Sequence, residues 1–308
     1  MRRLLVIRPG AIGDTLLVLP VLQALKAQYQ FTHCTLVGNA AVLPLTLASG
    51  IVDETFDYEQ ARWGQLFSER GITDNGLQTL LASFDMVICW LRDDTGTVAR
   101  NLTAVGISQV VVTPGRPPEG DHLHIVFYLA ASTGLELSLP DLRDFHLTLR
   151  SQKLSSQMSD EQNAFFVAIH PGSGGARKCW PHEKYRALIE QLWERGQDVL
   201  VLLGPAEQDQ WALLHSELGT NKQHRLNILV NAPLVALAGN IQMCKCFIGN
   251  DAGITHLAAM LGLPTLALFG PTDPRIWHPV GRSVVIMYEP ELKRLPVAMV
   301  LEAVRSFL

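Results

Sequence analysis

Short apolar runs recur along the whole chain and are separated by longer amphipathic or polar stretches. Short runs rich in β-branched residues and leucine are typical of buried strands, and the stretches between them have room for helices. The pattern predicts strands at residues 3–8, 34–38, 52–56, 84–91 and 110–113, and again at 165–169, 199–203, 227–230, 247–248, 265–269 and 284–287. Regular alternation of strand and helix favours parallel sheets with helices on both faces.

The alternation is interrupted once, by a polar segment that contains several serines. We interpret residues 151–163 as a linker between a first domain at 1–150 and a second domain at 164–290. We predict a last helix at 291–308, which could pack back on the first domain. The predicted fold class is therefore α/β, with two doubly wound parallel-sheet domains facing a cleft. Ligands are expected at the carboxyl ends of the strands.

Composition indicates a folded, soluble protein, since 48% of the 308 residues are apolar and 18% are charged. The formal net charge of −4 argues against nucleic acid as a partner. The five cysteines include no C-x-x-C pair, so we expect reduced thiols in the cytoplasm. The most apolar window, residues 16–25, is too short for a membrane span, and the N-terminal run lacks a cleavage site. Peripheral contact with a membrane surface stays open.

The first predicted strand ends in a turn that holds Gly10 and Gly13 and is followed by Asp14. Two glycines three residues apart permit a sharp strand-to-helix turn, and we predict a helix over residues 15–28 that is kinked at Pro20. The third glycine of a dinucleotide fingerprint is absent, which argues against a dinucleotide-dependent dehydrogenase. Asp14 is either a plain helix N-cap or a general base that removes a proton from an attacking hydroxyl.

Two loops of the second half carry polar side chains directly after predicted strands. The loop at 170–181 combines glycines with Ser173 and Lys178, which could wrap a diphosphate, whereas solvated surface cations are the alternative. Glu207 follows the strand at 199–203. Its carboxylate can accept hydrogen bonds from two ribose hydroxyls, or it can merely cap a helix.

The stretch at 247–270 is typical of a strand, a turn, a compact helix and a second strand. Asn250 and Asp251 are expected to start the helix, and Gly253 places no side chain between the helix end and a ligand. The unpaired N–H groups and the helix dipole favour a phosphate there, and His256, one turn inside, would add a donor. A capped turn without a ligand is the alternative.

No Asp-x-Asp triplet is present, so we expect neither a metal-bound diphosphate nor a metal site. Lys178, His256 and the helix end would then offset the charge on a leaving group. His122 and His124 lie at the start of a predicted helix at 122–135 and have no obvious acidic partner. We interpret both histidines as surface residues.

Three sequence blocks match a known family. RPGAIGDTLLVLPVLQAL at the start, HPGSGGARKCWPHEKYRALIEQL after the linker and GNDAGITHLAAMLGLPTLALFGPTDPRIW near the end resemble glycosyltransferase family nine, the ADP-heptose:lipopolysaccharide heptosyltransferases. The blocks follow the family's order and spacing. The resemblance implies a GT-B fold of two Rossmann-like domains, the first binding the acceptor and the second the nucleotide sugar.

The resemblance also implies an inverting, metal-independent glycosyltransferase. It would transfer a sugar, expected to be heptose, from an ADP-sugar to a lipopolysaccharide core or related glycan, at the cytoplasmic face of the inner membrane. The family's Gly-Asp motif falls on Gly13 and Asp14, which makes Asp14 the catalytic base, and we place Arg62 on the acceptor side with Gly13. The donor contacts fall on Ser173, Lys178, Glu207, Asp251, Ala252, Gly253 and His256. The ADP-sugar is a co-substrate, and no cofactor is expected.

One departure from the family pattern concerns the acceptor. Residues 58–70 offer only Arg62 and Arg70 among two glutamates, where relatives that act on phosphorylated inner core tend to have several cations. We therefore expect an acceptor less anionic than lipid A bearing Kdo, and a donor sugar other than heptose stays open. Two further alternatives are a nucleotide-sugar epimerase-like enzyme and a non-catalytic nucleotide-binding module of the same fold.

Overall fold

The computed structural model describes residues 2–150, 166–205 and 225–308. The predicted linker at 151–163 and the predicted ribose ligand Glu207 lie outside these ranges. The chain divides into two compact units, Met1–Leu142 and Arg143–Leu308.

The first unit is built on a parallel five-stranded sheet with the strand order β3-β2-β1-β4-β5. Its strands are β1 (Arg3–Ile7), β2 (His33–Gly38), β3 (Glu54–Asp57), β4 (Met86–Trp90) and β5 (Gln109–Thr113). Its helices are α1 (Ile12–Leu16), α2 (Leu19–Tyr29), α3 (Leu43–Ser49), α4 (Asn75–Ala82), α5 (Thr97–Ala104) and α6 (Ile125–Ala131), with a 3₁₀ segment at Ala61–Phe67. Helix α7 (Leu139–Asp144) crosses the boundary to the second unit.

The second unit is built on a parallel six-stranded sheet with the strand order β11-β10-β9-β6-β7-β8. Its strands are β6 (Val167–His170), β7 (Val199–Leu203), β8 (Leu226–Val230), β9 (Cys246–Asn250), β10 (Thr265–Phe269) and β11 (Val284–Tyr288). Its described helices are α8 (His182–Glu194), α9 (Leu234–Gln242), α10 (Gly253–Met260), α11 (Pro274–Trp277) and α12 (Val297–Arg305), with 3₁₀ segments at Ala176–Lys178 and Leu292–Arg294.

Burial explains why the strands read as continuous apolar runs. Every residue of β4, β7, β9 and β10 is buried, because helices cover both faces of a parallel sheet. The edge strands β3 and β11 are only partly buried. Each unit has its own hydrophobic core, with Ile7, Trp63 and Val87 in the first and Ile169 and Leu266 in the second. All the predicted strands are confirmed to within two residues, and two of them have the predicted bounds, β7 and β10.

The prediction of one helix over 15–28 is wrong. Two helices are present, α1 and α2, and Pro20 lies in the first turn of α2 rather than inside a longer helix. A proline in a first turn removes no intrahelical hydrogen bond, because the N–H groups of that turn have no partner inside the helix. The chain therefore starts a new helix at Leu19 instead of bending an existing one.

The predicted C-terminal helix is shorter than expected. It begins at Val297, after the N-cap Pro296 and a separate 3₁₀ turn at Leu292–Arg294. Val300 and Val304 join the core of the second unit beside α8. The predicted contact of this helix with the first unit stays a prediction.

The interpretation of His124 as a surface residue is also wrong, while His122 is exposed as expected. His124 is the N-cap of α6, is 4% exposed and accepts a hydrogen bond of 3.3 Å from the backbone N of Val126. Within the three described ranges, every helix is too short or too polar to cross a lipid bilayer.

Candidate functional site

Strands β6 and β9 lie side by side in the second sheet, and the chain continues from them to opposite sides. Strands β7 and β8 follow on one side, and β10 and β11 on the other. A reversal of this kind opens a crevice at the carboxyl ends of the two strands, where ligands of α/β proteins bind. His170 of β6 is in register with Gly249 of β9. The loops after the two strands therefore leave the sheet at the same level.

The loop after β6, residues 171–181, contacts the end of β9 through two of its polar side chains. Ser173 Oγ donates a hydrogen bond of 2.6 Å to the backbone O of Asp251, and Lys178 Nζ lies 2.8 Å from Asp251 Oδ2. The Asp251 side chain is buried, whereas that of Lys178 is 39% exposed. Three of the predicted nucleotide-sugar residues thus meet at one point, although Asp251 is 78 and 73 residues away from Ser173 and Lys178 in the sequence.

Asn250 and Asp251 do not start helix α10, so that expectation is wrong. The N-cap is Ala252, which has an extended conformation and no side-chain capping bond, and Asn250 is the last residue of β9. Both polar side chains bond to the loop at 171–181 instead, because an ion pair and several buried hydrogen bonds outweigh a single cap. The start of α10 consequently carries no capping side chain.

The Asn250 side chain, which is fully buried, connects the loop at 171–181 to β9 and α8. Its Oδ1 accepts hydrogen bonds of 3.0 Å from Trp180 N and from the hydroxyl of Tyr185. Its Nδ2 lies 2.5 Å from the backbone O of Pro171 and 3.4 Å from that of Gly172. Burial raises the pKa of Tyr185 well above its usual range, so its hydroxyl stays a donor at neutral pH.

The other predicted donor residues that the structure describes lie on or beside α10. Ala252 is the N-cap, Gly253 is the first helical residue, and His256 lies one turn inside, where it is 4% exposed. The backbone N of His256 donates to the backbone O of Ala252 at 3.3 Å. Thr255 Oγ1 donates to the backbone O of Asn250 at 2.6 Å, which ties the helix to β9. The contact of His256 with a ligand stays a prediction.

In the first unit, the turn after β1 holds a pair of opposite charges. Arg8 Nη2 lies 2.8 Å from Asp14 Oδ1, and the two side chains are 5% and 17% exposed. Asp14 Oδ2 also accepts a hydrogen bond of 2.9 Å from the backbone N of Ala11. Burial lowers the pKa of Arg8, and Asp14 acts in the opposite direction, which keeps the guanidinium charged.

Asp14 is therefore not the N-cap of α1, which is Ala11, but the third helical residue, and its side chain reaches back to the cap. The close approach depends on Gly10, whose φ is +141°. A Cβ atom at Gly10 would lie 2.7 Å from Asp14 Oδ2. Gly13 is the second residue of α1, and its backbone O accepts a hydrogen bond of 2.9 Å from the N of Leu17, the C-cap of that helix.

The predicted acceptor residue Arg62 lies in the 3₁₀ segment Ala61–Phe67 of the first unit. Its guanidinium carbon is 4.4 Å from the ring centroid of Phe56 and 4.9 Å from that of Trp63. Contact with two aromatic rings restricts the orientation of the guanidinium. A cation with a restricted orientation is suited to bind an anionic or hydroxyl-rich group.

Sequence reasoning missed two functional candidates, Arg8 and Tyr185. It also predicted that Asn250, a third candidate, starts a helix. A signal existed for Arg8, since a charged residue at the end of an apolar strand must find a buried partner. Tyr185 lies on the apolar face of a helix, and its bond to a residue 65 positions away follows only from the tertiary fold.

The loop at 171–181 also borders a cavity of about 590 Å³, lined by Ser173, Arg177, Trp180, His182 and Lys293 among others. Its volume is in the range of small-molecule sites. Within residues 2–150, 166–205 and 225–308, no three His, Cys, Asp or Glu side chains cluster closely enough to hold a metal ion.

Comparison with solved structures defines the fold class. E. coli ADP-heptose LPS heptosyltransferase II has a TM-score of 0.78 to this chain at 21% identity, over 100% of this chain and 98% of that one. The chain thus has a GT-B type α/β fold with two parallel-sheet units. The family model described as glycosyltransferase family 9 (heptosyltransferase) matches residues 103–299. This chain belongs to glycosyltransferase family 9.

Curated relatives carry heptosyltransferase names. Lipopolysaccharide heptosyltransferase 3 of Escherichia coli is 28% identical over 140 residues, which is 42% of this chain and 38% of that protein. The match thus spans about two fifths of that relative's length. Lipooligosaccharide heptosyltransferase 2 of Campylobacter jejuni is 21% identical over 267 residues, which is 86% of this chain and 80% of that protein.

Proposed function

We propose that this protein transfers heptose from ADP-heptose to a lipopolysaccharide-type glycan acceptor, with inversion at the anomeric carbon and without a metal ion. The observation that carries this proposal is the meeting of Ser173 and Lys178 with Asp251 at the carboxyl ends of β6 and β9. Relatives with heptosyltransferase names and the family match support the sugar and the acceptor class. A solved relative, E. coli heptosyltransferase WaaC with ADP, supports the nucleotide; it has a TM-score of 0.70 at 18% identity, over 99% of this chain and 100% of that one.

The donor diphosphate would bind between the loop at 171–181 and the start of α10. Lys178 is partly exposed, so its ammonium can turn one N–H toward a phosphate while Asp251 holds another. The start of α10 carries no capping side chain, which leaves its first N–H groups to an anion. Glu207 would add the ribose contact predicted from the sequence.

Asp14 would act as the general base. The acceptor hydroxyl gives its proton to the Asp14 carboxylate while its oxygen attacks the anomeric carbon, and the bond from that carbon to the β-phosphate oxygen breaks. The leaving ADP takes the electron pair of the broken bond. Lys178 and the α10 dipole offset the charge that grows there. One displacement inverts the anomeric configuration.

The acceptor would bind to the first unit, with Arg62 as its anchor. The stacked guanidinium of Arg62 suits one carboxylate or phosphate of the acceptor. Residues 58–70 contain only one other cation, Arg70, which favours the less anionic acceptor predicted above. Action at the cytoplasmic face of the inner membrane would bring the enzyme to such a lipid-linked glycan.

The Asp14→Asn variant tests the transfer reaction. We expect its kcat to fall by about 100-fold or more, while its Kd for ADP stays within a few fold of wild type. Mass spectrometry of the product and NMR of its anomeric linkage give rate and stereochemistry. Asp74→Asn is the matched control, because Asp74 caps helix α4 of the same unit through Leu77 N. Unchanged turnover of Asp14→Asn would remove the general-base role.

Donor and metal requirements are tested separately. Binding of ADP, UDP, GDP and CDP sugars by calorimetry should favour ADP-heptose, and transfer should persist in a chelator. Activity that is lost with the chelator and returns with magnesium would contradict metal independence. Conversion of the sugar without acceptor would favour an epimerase-like enzyme, and ADP binding without any turnover would favour a binding module.

A further inference from the structure

Asn250 has an unusual position for a polar side chain. It is the last residue of β9, at the end of the sheet where ligands bind in α/β folds, yet none of its surface is exposed. A side chain that touches substrate needs access to it. The role of Asn250 must therefore lie in the protein groups that it bonds.

Those groups stand at both ends of one loop. Pro171 and Gly172 begin the segment after β6, and Trp180 ends it before α8. A single amide thus holds the entrance of the loop through its N–H groups and the exit of the loop through its oxygen. Ser173 and Lys178, which contact Asp251, lie between these two fixed ends.

The chemistry of the site requires an amide. The backbone O of Pro171 needs a donor, while the N–H of Trp180 and the hydroxyl of Tyr185 need an acceptor. An aspartate would set a carboxylate oxygen against the Pro171 carbonyl. An apolar residue would leave all of these buried groups without that partner.

We propose that Asn250 is a positioning residue for donor binding, which holds the loop at 171–181 so that Ser173 and Lys178 converge beside Asp251. Tyr185 supports it from α8 by fixing the amide oxygen. This inference rests on the proposed role of the loop as the diphosphate site. It assigns no contact between Asn250 and the substrate.

The test compares ADP affinity and loop protection in four variants of the whole chain. Asn250→Ala should raise the Kd for ADP about tenfold or more, and Asn250→Asp should behave similarly because both lose the bond to Pro171. Tyr185→Phe removes one hydroxyl and should raise the Kd about two- to fivefold with little risk to folding. The rate of backbone hydrogen exchange over residues 172–180 should increase most in the two Asn250 variants and less in Tyr185→Phe.

Asn240→Ala is the matched control. Asn240 is equally buried in the second unit, but its Nδ2 bonds to Ala236 O within its own helix α9. It should lose thermal stability and keep wild-type ADP affinity and loop protection. If Asn250→Ala and Tyr185→Phe melt lower but bind ADP as wild type does, Asn250 is merely structural and the inference fails. Wild-type protein that does not bind ADP would instead overturn the proposed function, whatever Asn250 does to the loop.

Discussion

Arg8 Nη2 and Asp14 Oδ1 are 2.8 Å apart, and the arginine of this pair is almost completely buried. The candidate base is therefore held by a fixed cation on one oxygen and by the backbone N of Ala11 on the other. A carboxylate held at both oxygens has little rotational freedom. The orientation of this carboxylate is therefore set by the protein before any substrate arrives.

Two substitutions of Arg8 should show whether Asp14 depends on the geometry of the arginine side chain or only on its positive charge. Arg8→Met removes the partner of Asp14 and should lower kcat roughly 10- to 100-fold, because a displaced base transfers protons poorly. Arg8→Lys retains the charge but loses the planar fork, so its loss should be smaller. Steady-state kinetics with saturating donor measures both. A wild-type kcat in Arg8→Met would mean that Asp14 does not depend on this contact.

Gly10→Ala should disturb the same carboxylate from the other side. The φ of +141° is strained for alanine, and the new Cβ would lie 2.7 Å from Asp14 Oδ2. We expect a loss of about 1–3 kcal/mol in the free energy of unfolding. The kcat should fall about tenfold or more as Asp14 moves. Gly64→Ala is the control, since a Cβ there meets nothing within 4 Å. If Gly10→Ala and Gly64→Ala lowered kcat and the free energy of unfolding equally, the contact between position 10 and Asp14 would not explain the loss.

Lys178→Ala should weaken ADP binding much more than folding. The side chain is 39% exposed, so its ion pair with Asp251 adds at most about 1 kcal/mol to stability. Loss of a charged hydrogen bond to phosphate should cost about 1.5–3 kcal/mol, roughly a 10- to 150-fold rise in Kd by calorimetry. Arg177→Ala removes the neighbouring exposed cation and tests for a general charge effect. A change below about 0.5 kcal/mol in Lys178→Ala would leave it a surface cation.

Stability should fall in alkaline solution because of buried thiols. Burial raises the pKa of Cys34, Cys244 and Cys246 from the ordinary value of 9.0 to about 12. The unfolded chain loses these protons near pH 9 while the folded chain keeps them, so the free energy of unfolding decreases between about pH 9 and 12. Cys34→Ala should reduce that slope by up to about 1.4 kcal/mol per pH unit. Urea unfolding at several pH values measures it, and an unchanged slope would contradict the burial effect.

The local pattern of apolar residues was sufficient to predict the strands of both sheets. The strands at 199–203 and 265–269 were predictable because all residues of β7 and all but Thr265 of β10 are apolar, and all of them are buried, so tertiary packing and local preference agree. Pro20 was misplaced because a proline is compatible both with a kinked helix and with the first turn of a new one. The choice depends on the chain before it, not on the proline.

The sequence by itself determined the alternation of strand and helix, the strand ends that carry polar residues and the family to which the chain belongs. Tertiary structure alone decided which of those polar residues meet. Asp251 caps no helix because its carboxylate pairs with Lys178, 73 residues away, while Ser173, 78 residues away, bonds to its backbone O. Asp14 is held because its carboxylate pairs with the buried guanidinium of Arg8. Local propensity depends on neighbours in the chain, whereas hydrogen bonds and ion pairs depend on distances in space, which only the folded sheet order sets.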